Sequence, residues 1–201
     1  MLSGFGLGAS VIFAVTLIVS IAGLYSPKVI DRTVLRPYYV VRRGEWSRLI
    51  TSGFVHADLG HLIFNMITYY FFAFPLERVI GTARFVLLYF TALILSDIGT
   101  FVKHRNNPEY ASLGASGAIL GVLFASIVYF PNQSLFIFPI PLPIPAPLFA
   151  VGYLAYSYYL SRSPSPGRIN HDAHIGGALT GLAFVALSDP GAYRRLLAIL
   201  T

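Results

Sequence analysis

Six apolar stretches, at about residues 6–24, 59–74, 85–102, 115–130, 146–160 and 172–187, decide what this chain can fold into. Crossing the roughly 30 Å hydrocarbon core of a bilayer takes about 20 apolar residues in a helix, and most of these runs approach that length. Composition agrees, since 56% of the residues are hydrophobic and only 11% are charged, against roughly 25% charged in a water-soluble domain. The expectation is an all-α polytopic membrane protein, a bundle of six transmembrane helices forming one domain over residues 1–201. The N-terminus lacks the charged start and small-residue cleavage site of a secretory signal, so the first run reads as a retained span.

The connections are uneven. Residues 25–58 hold Lys28, Arg32, Arg36, Arg42, Arg43 and Arg48, with Tyr38, Tyr39 and Trp46 among them. Tyrosine and tryptophan favour the headgroup level, so this long connection is expected to lie on or partly in the membrane. Span two is expected to end before Pro75, leaving Glu77, Arg78 and Arg84 in a short polar turn. Six prolines between Pro131 and Pro147 disfavour a continuous helix there. The formal net charge of +6 points to anionic lipid headgroups as the partner of the basic residues, not to nucleic acid. With no cysteine in the chain, disulfides, thiolate metal sites and a cysteine nucleophile are excluded.

The fourth span is short. From Ser116 to Phe130, at 1.5 Å per residue, it covers only about 22 Å. If its far end meets the opposite interface, Ser116 begins below the near surface. A helix start at that depth is tolerated only where protein or a water-filled cavity surrounds it, so a wet cavity is expected around Ser116.

Polar groups inside spans are expensive, and function is the default reading for them. Gly114-Ala115-Ser116-Gly117-Ala118 sets a serine among small residues at a helix start, where unpaired N–H groups and the positive end of the helix dipole favour a developing oxyanion. Taken alone, the same segment is also an ordinary helix-packing patch. His174 precedes Gly177 by three residues, and Gly177 with Gly181 makes a face for close helix contact. Packing span six on span four through those glycines would bring His174 towards Ser116, where an imidazole can take the serine proton. His61 and Asn65, four apart, share a face of span two. They are either two donors for a tetrahedral oxyanion or a polar pair joining helices.

No carboxylate is placed to orient His174, because Asp172, two residues away, points elsewhere; the expectation is a dyad. His171, one turn before His174, makes a two-histidine metal site conceivable. No His-Glu-x-x-His motif occurs, however, and the spans hold almost no carboxylate besides Asp97, so no metal or other cofactor is expected. His56 reads as a hydrogen-bonding anchor for the first connection and His104 as a loop residue without a role.

Together these motifs resemble the rhomboid proteases over nearly the full chain. Trp46-Ser47-Arg48 is similar to the family's tryptophan–arginine element, and His56-x4-His61-x3-Asn65 to its span-two motif. Glu77-Arg78 matches the glutamate–arginine element after that span. Gly114-Ala115-Ser116-Gly117 matches the nucleophile motif, and Ala173-His174-x2-Gly177-x3-Gly181 the base motif. The resemblance implies an intramembrane serine endopeptidase with Ser116 as nucleophile and His174 as general base. His61, Asn65 and the Ser116 backbone N–H would form the oxyanion hole, and Trp46, Arg48, His56, Glu77, Arg78, Gly114, Gly117, Gly177 and Gly181 would be structural. It further implies span five as a lateral gate, transmembrane-protein substrates with small or helix-destabilising residues near the cut, and a plasma or inner membrane location.

Two features depart from the family. Some members carry a tyrosine one turn after the nucleophile, stacked on the catalytic histidine; here that position is Leu120, so an aromatic from elsewhere or simple apolar packing must place His174. Counting Lys and Arg by side gives ten on the active-site face (Lys28, Arg32, Arg36, Arg42, Arg43, Arg48, Lys103, Arg105, Arg162, Arg168) and four opposite (Arg78, Arg84, Arg194, Arg195). The positive-inside rule would turn that face to the cytoplasm, whereas the resemblance implies the outward face, which is the orientation adopted. The alternative function is an inactive rhomboid-like protein that binds membrane helices without cutting them; such proteins characteristically lack the serine or the histidine, and both are here. A small transporter would show internal symmetry, and none is evident.

Overall fold

Each expected span is helical, the third as two helices, in the computed structural model, which describes residues 6–137, 140–163 and 169–200. Helix α1 spans Leu7–Tyr25; α2 (Pro27–Thr33), α3 (Pro37–Arg43) and α4 (Arg48–Thr51) then fill the long connection, with a 3₁₀ turn at Ser52–Phe54. Helix α5 is Leu59–Ile80, α6 Thr82–Ser96, α7 Ile98–His104 and α8 Ser116–Tyr129. The antiparallel strands β1 (Ser134–Ile137) and β2 (Ile140–Pro145) lead into α9 (Ala146–Ser161), α10 (His171–Ser188) and α11 (Ala192–Leu200). Among the described residues, three elements are long and apolar enough to cross a membrane unaided: α1, α5, and α6 continued by α7. Helix α11 turns 112° away from α10.

The architecture is a helical polytopic bundle built around α8. Every α8 residue from Gly117 to Tyr129 is buried, enclosed by α5, α6 and α10, while α1 closes the far side against α5 and α6. Large apolar side chains cover the outside of the bundle as well as its interior. On α1 the residues facing inward include Gly8, Thr16, Ser20 and Gly23, whereas Val11, Val15, Ile18 and Ile21 face outward. Lipid is as apolar as leucine, so small side chains and hydrogen bonds, not hydrophobic exclusion, decide which faces meet.

The α8–α10 seam is the tightest example. A Cβ at Gly177 would run into the Gly117 carbonyl, one at Gly181 into the Gly121 carbonyl, and one at Gly117 into the Ser96 hydroxyl. Two backbones touch here with no side chain between them, which is the packing expected from Gly177 and Gly181.

Three elements differ from expectation. Helix α5 runs through Pro75 to Ile80, so Glu77 and Arg78 occupy its last turn and not a loop. A proline inside a helix leaves the carbonyl four residues earlier, that of Phe71, without its N–H partner; Ser126 of α8 donates to the neighbouring Phe72 carbonyl (3.3 Å), which ties the same turn to α8. The third span is broken at Asp97 into α6 and α7, and His104 is the last residue of α7, stacked flat on Tyr110 at 3.6 Å. The proline-rich stretch, besides ending a helix, pairs into the β1–β2 hairpin.

Glu77 shows how distant parts of the chain are joined. Its carboxylate, 2% exposed, accepts the N–H groups of Gly8 (2.9 Å) and Ala9 (2.7 Å) and the Thr82 hydroxyl (2.7 Å). It therefore caps the N-terminus of α1, where unpaired N–H groups and the helix dipole favour an anion. Glu77→Ala is expected to destabilise the fold by about 3 kcal/mol, given about 1.5–3 kcal/mol per hydrogen bond to a charged group. Reversible unfolding in detergent would measure it, and a loss below about 1 kcal/mol would remove Glu77 from this role. Arg78 is exposed on the same turn.

Candidate active site

The N-terminus of α8 opens into a cavity of about 770 Å³, lined among others by His61, Asn65, Gly114, Ser116, His171 and His174. Its floor is made by the start of α8. Gly114 holds φ = +119°, and a Cβ there would lie 2.8 Å from the His61 ring, so only glycine allows the chain to turn into α8 beside that imidazole. Ser116 follows as the first residue of the helix.

Ser116 and His174, 58 residues apart, are brought together: Oγ and Nε2 are 2.9 Å from each other. The glycine seam between α8 and α10 sets this approach, with His174 one turn before Gly177. The start of α10 is fixed separately. Asn170 Oδ1 accepts the Ala173 N–H (3.1 Å) and the Thr100 hydroxyl (2.9 Å), while its amide donates to Ser112 (3.0 Å). Asp172 turns away to pair with Lys103 at 2.9 Å, as its helix position requires.

Asn65 faces the same cavity from α5. It is 7% exposed, and its Nδ2 has no hydrogen-bond partner. A buried donor left unpaired is costly, so its place is one that a ligand atom would satisfy. His61 lies one turn earlier; its N–H bonds Asp58 Oδ1 (2.8 Å), which caps α5, and its ring meets His56 edge-on at 4.8 Å. His56 is fully buried. Its Nδ1 is 2.8 Å from the Ser20 hydroxyl, which donates to the Phe54 carbonyl (2.9 Å), and its Nε2 makes a long 3.5 Å contact with the Ala115 N–H. One imidazole thus ties α1, the first connection and the residue before Ser116.

The remaining motif residues support this floor from outside. Arg48 donates to Glu45 (2.5 Å) and to the carbonyls of Asp31 (2.7 Å) and Val34 (2.8 Å), closing the first connection on itself. Trp46, 58% exposed, stacks on Phe101 of α7. His171 and His174 meet edge-on at 5.8 Å; among the described residues no group of three His, Asp or Glu side chains is placed to hold a metal ion.

One residue at the site has no counterpart among the sequence-derived candidates. Tyr153 of α9 sets its hydroxyl 2.8 Å from His174 Nδ1 and stacks its ring on the imidazole, 6.3 Å between centroids at 27°. The aliphatic Leu120 left a place for an aromatic, but nothing local marks Tyr153 among Tyr156, Tyr158 and Tyr159.

Comparison with known proteins identifies the family. Residues 43–188 match the profile of the Rhomboid domain. The chain is 43% identical over 95 residues to the YdcA protein of Bacillus subtilis, covering 46% of this chain and 47% of that protein. It is 33% identical over 163 residues to the rhomboid protease GluP of the same organism, covering 79% of this chain and 30% of GluP. With the human presenilin-associated rhomboid-like protein, mitochondrial, identity is 30% over 146 residues, 69% of this chain and 37% of that protein. The chain spans less than half the length of these relatives. Because the matched domain covers well over half of its residues, the chain belongs to the rhomboid family.

Proposed function

We propose that this chain, acting as one membrane domain, is an intramembrane serine endopeptidase that cuts the transmembrane segments of other proteins with a Ser116–His174 dyad. The observation that carries the reading is the 2.9 Å contact between Ser116 Oγ and His174 Nε2 at the floor of a cavity entered from a polar rim. Ser116 Oγ attacks the scissile carbonyl carbon as Nε2 takes the hydroxyl proton. The carbonyl oxygen becomes an oxyanion, held by the Asn65 amide, the His61 ring and the Ser116 backbone N–H at the positive end of α8. Collapse breaks the C–N bond, the imidazolium returns its proton to the leaving amine, and water activated by the same imidazole then hydrolyses the acyl-serine.

Substrates are membrane proteins whose segments unwind easily, since a helical backbone hides the carbonyl that must be attacked. They enter beside α9, the gate. The cavity face is assigned outward from a plasma or inner membrane. This assignment follows the family resemblance, against the ten-to-four excess of Lys and Arg on that face.

In detergent, a serine-reactive fluorophosphonate is expected to label the protein at one site, mapped by mass spectrometry to Ser116, and Ser116→Ala is expected to abolish labelling. Labelling that persists in Ser116→Ala would assign the nucleophile elsewhere. A wild-type protein that binds helical peptides without labelling or cleavage would make it an inactive helix-binding rhomboid.

A further inference from the structure

We infer that Tyr153 is the positioning residue of the His174 imidazole, so that the Ser116–His174 pair is aligned only while α9 is docked against α10. The inference rests on the protease reading above and adds what holds the base.

An imidazole that takes a proton at Nε2 must carry its other proton at Nδ1 and needs an acceptor there to stay in that tautomer. Serine proteases commonly use a carboxylate for this purpose. Here Asp172 is engaged by Lys103, and the atom within reach of Nδ1 is the Tyr153 hydroxyl oxygen at 2.8 Å. A phenol oxygen accepts as well as donates, so it can take the Nδ1 proton. The ring of Tyr153 is itself fixed. Phe149, one turn earlier, stacks on it at 5.5 Å and 23°, and Phe124 of α8 meets it at 6.1 Å. Leu120, one turn after Ser116 on α8, offers neither ring nor hydrogen bond; Tyr153 supplies both stack and acceptor.

The helix that carries Tyr153 is the most weakly embedded of the long ones. Only Ala146 and Ser157 of its 16 residues are buried. Leu148, Val151, Tyr156, Tyr158 and Tyr159 are 55–75% exposed. Helix α9 follows the proline-rich β1–β2 hairpin. Displacing α9 takes the acceptor off Nδ1 and frees the imidazole to rotate away from Ser116. A protein held open by an entering helix is therefore catalytically idle until α9 returns.

Tyr153→Phe keeps the ring and removes the acceptor, and it is the decisive variant. Turnover of a helical substrate is expected to fall about five- to tenfold, the worth of about one hydrogen bond, with KM unchanged. The acid limb of the pH profile is expected to move to lower pH, because the lost bond strengthens when its donor is the imidazolium. The other ionisable groups facing this cavity, Asp58, His61, Asp97, His104, Tyr110, His171 and the Lys103–Asp172 pair, are unchanged, so the displacement reports on Tyr153. Tyr153→Leu removes the stack too and is expected to lose about 100-fold, and adding Leu120→Tyr, which returns an aromatic from α8, is expected to recover at least tenfold of it. A Tyr153→Phe protein with the wild-type rate and pH profile, or one whose rate falls with no displacement of the limb, overturns the inference while leaving the dyad intact. A wild-type protein without protease activity overturns both.

Discussion

Replacing His174 with alanine is expected to lower substrate turnover by on the order of 10,000-fold, as much as Ser116→Ala, and the double variant is expected to lose no more. The reasoning is that the two side chains form one device. A serine hydroxyl at neutral pH is almost wholly protonated and attacks a peptide carbonyl only as its proton leaves. Without the imidazole nothing 2.9 Å from Oγ takes that proton; without the hydroxyl the imidazole has nothing to activate. Their losses therefore do not add, and a slow residue from the oxyanion donors and substrate binding survives in all three variants. A packing hydrogen bond between two helices predicts something else: separate, additive losses of stability with turnover retained per folded molecule. The α8–α10 seam is built from Gly117, Gly121, Gly177 and Gly181, below the pair, so both single variants should unfold within a few degrees of wild type. Turnover within tenfold of wild type in either one ends the dyad assignment.

What could be read ahead of the structure follows the range over which each signal acts. The spans were legible because lipid demands long apolar runs, and the meeting of Ser116 with His174 was legible because the glycines three and seven residues past His174 specify which face of α10 touches α8. The cavity was legible from the shortness of α8. The tyrosine on His174 was not. It comes from a helix 21 residues earlier in the chain, in a segment where aromatics also face lipid, and only the aliphatic Leu120 hinted that a ring had to arrive from elsewhere. Glu77 looked like part of a polar turn because its ligands, the first N–H groups of α1, lie 68 and 69 residues away. Pro75 looked like a stop because proline disfavours a helix interior, whereas the burial of Leu76 and Glu77 against other helices carries α5 on to Ile80. Tyr153, Glu77 and the turn beyond Pro75 share one property: the groups that hold them belong to other helices.

Asn65→Ala is expected to reduce turnover by about 100- to 1,000-fold, the 2.7–4 kcal/mol typical of a lost oxyanion donor, without lowering the thermal midpoint. The two halves of that expectation come from one atom. In the resting protein Nδ2 is buried and bonded to nothing, so it contributes desolvation and no compensating bond. Truncation removes that penalty, and the fold has nothing to lose on its account. In the tetrahedral intermediate the same N–H would meet a full negative charge, and a charge-assisted hydrogen bond is about twice as strong as a neutral one. The effect therefore falls on kcat, because the ground-state carbonyl gains much less from the donor than the oxyanion does. A polar pair joining helices makes the reverse forecast: Asn65→Ala would lower the midpoint and leave the turnover of folded protein unchanged. Comparing kcat with the unfolding midpoint on one preparation separates the two, and a stable, fully active Asn65→Ala protein would remove Asn65 from the oxyanion site.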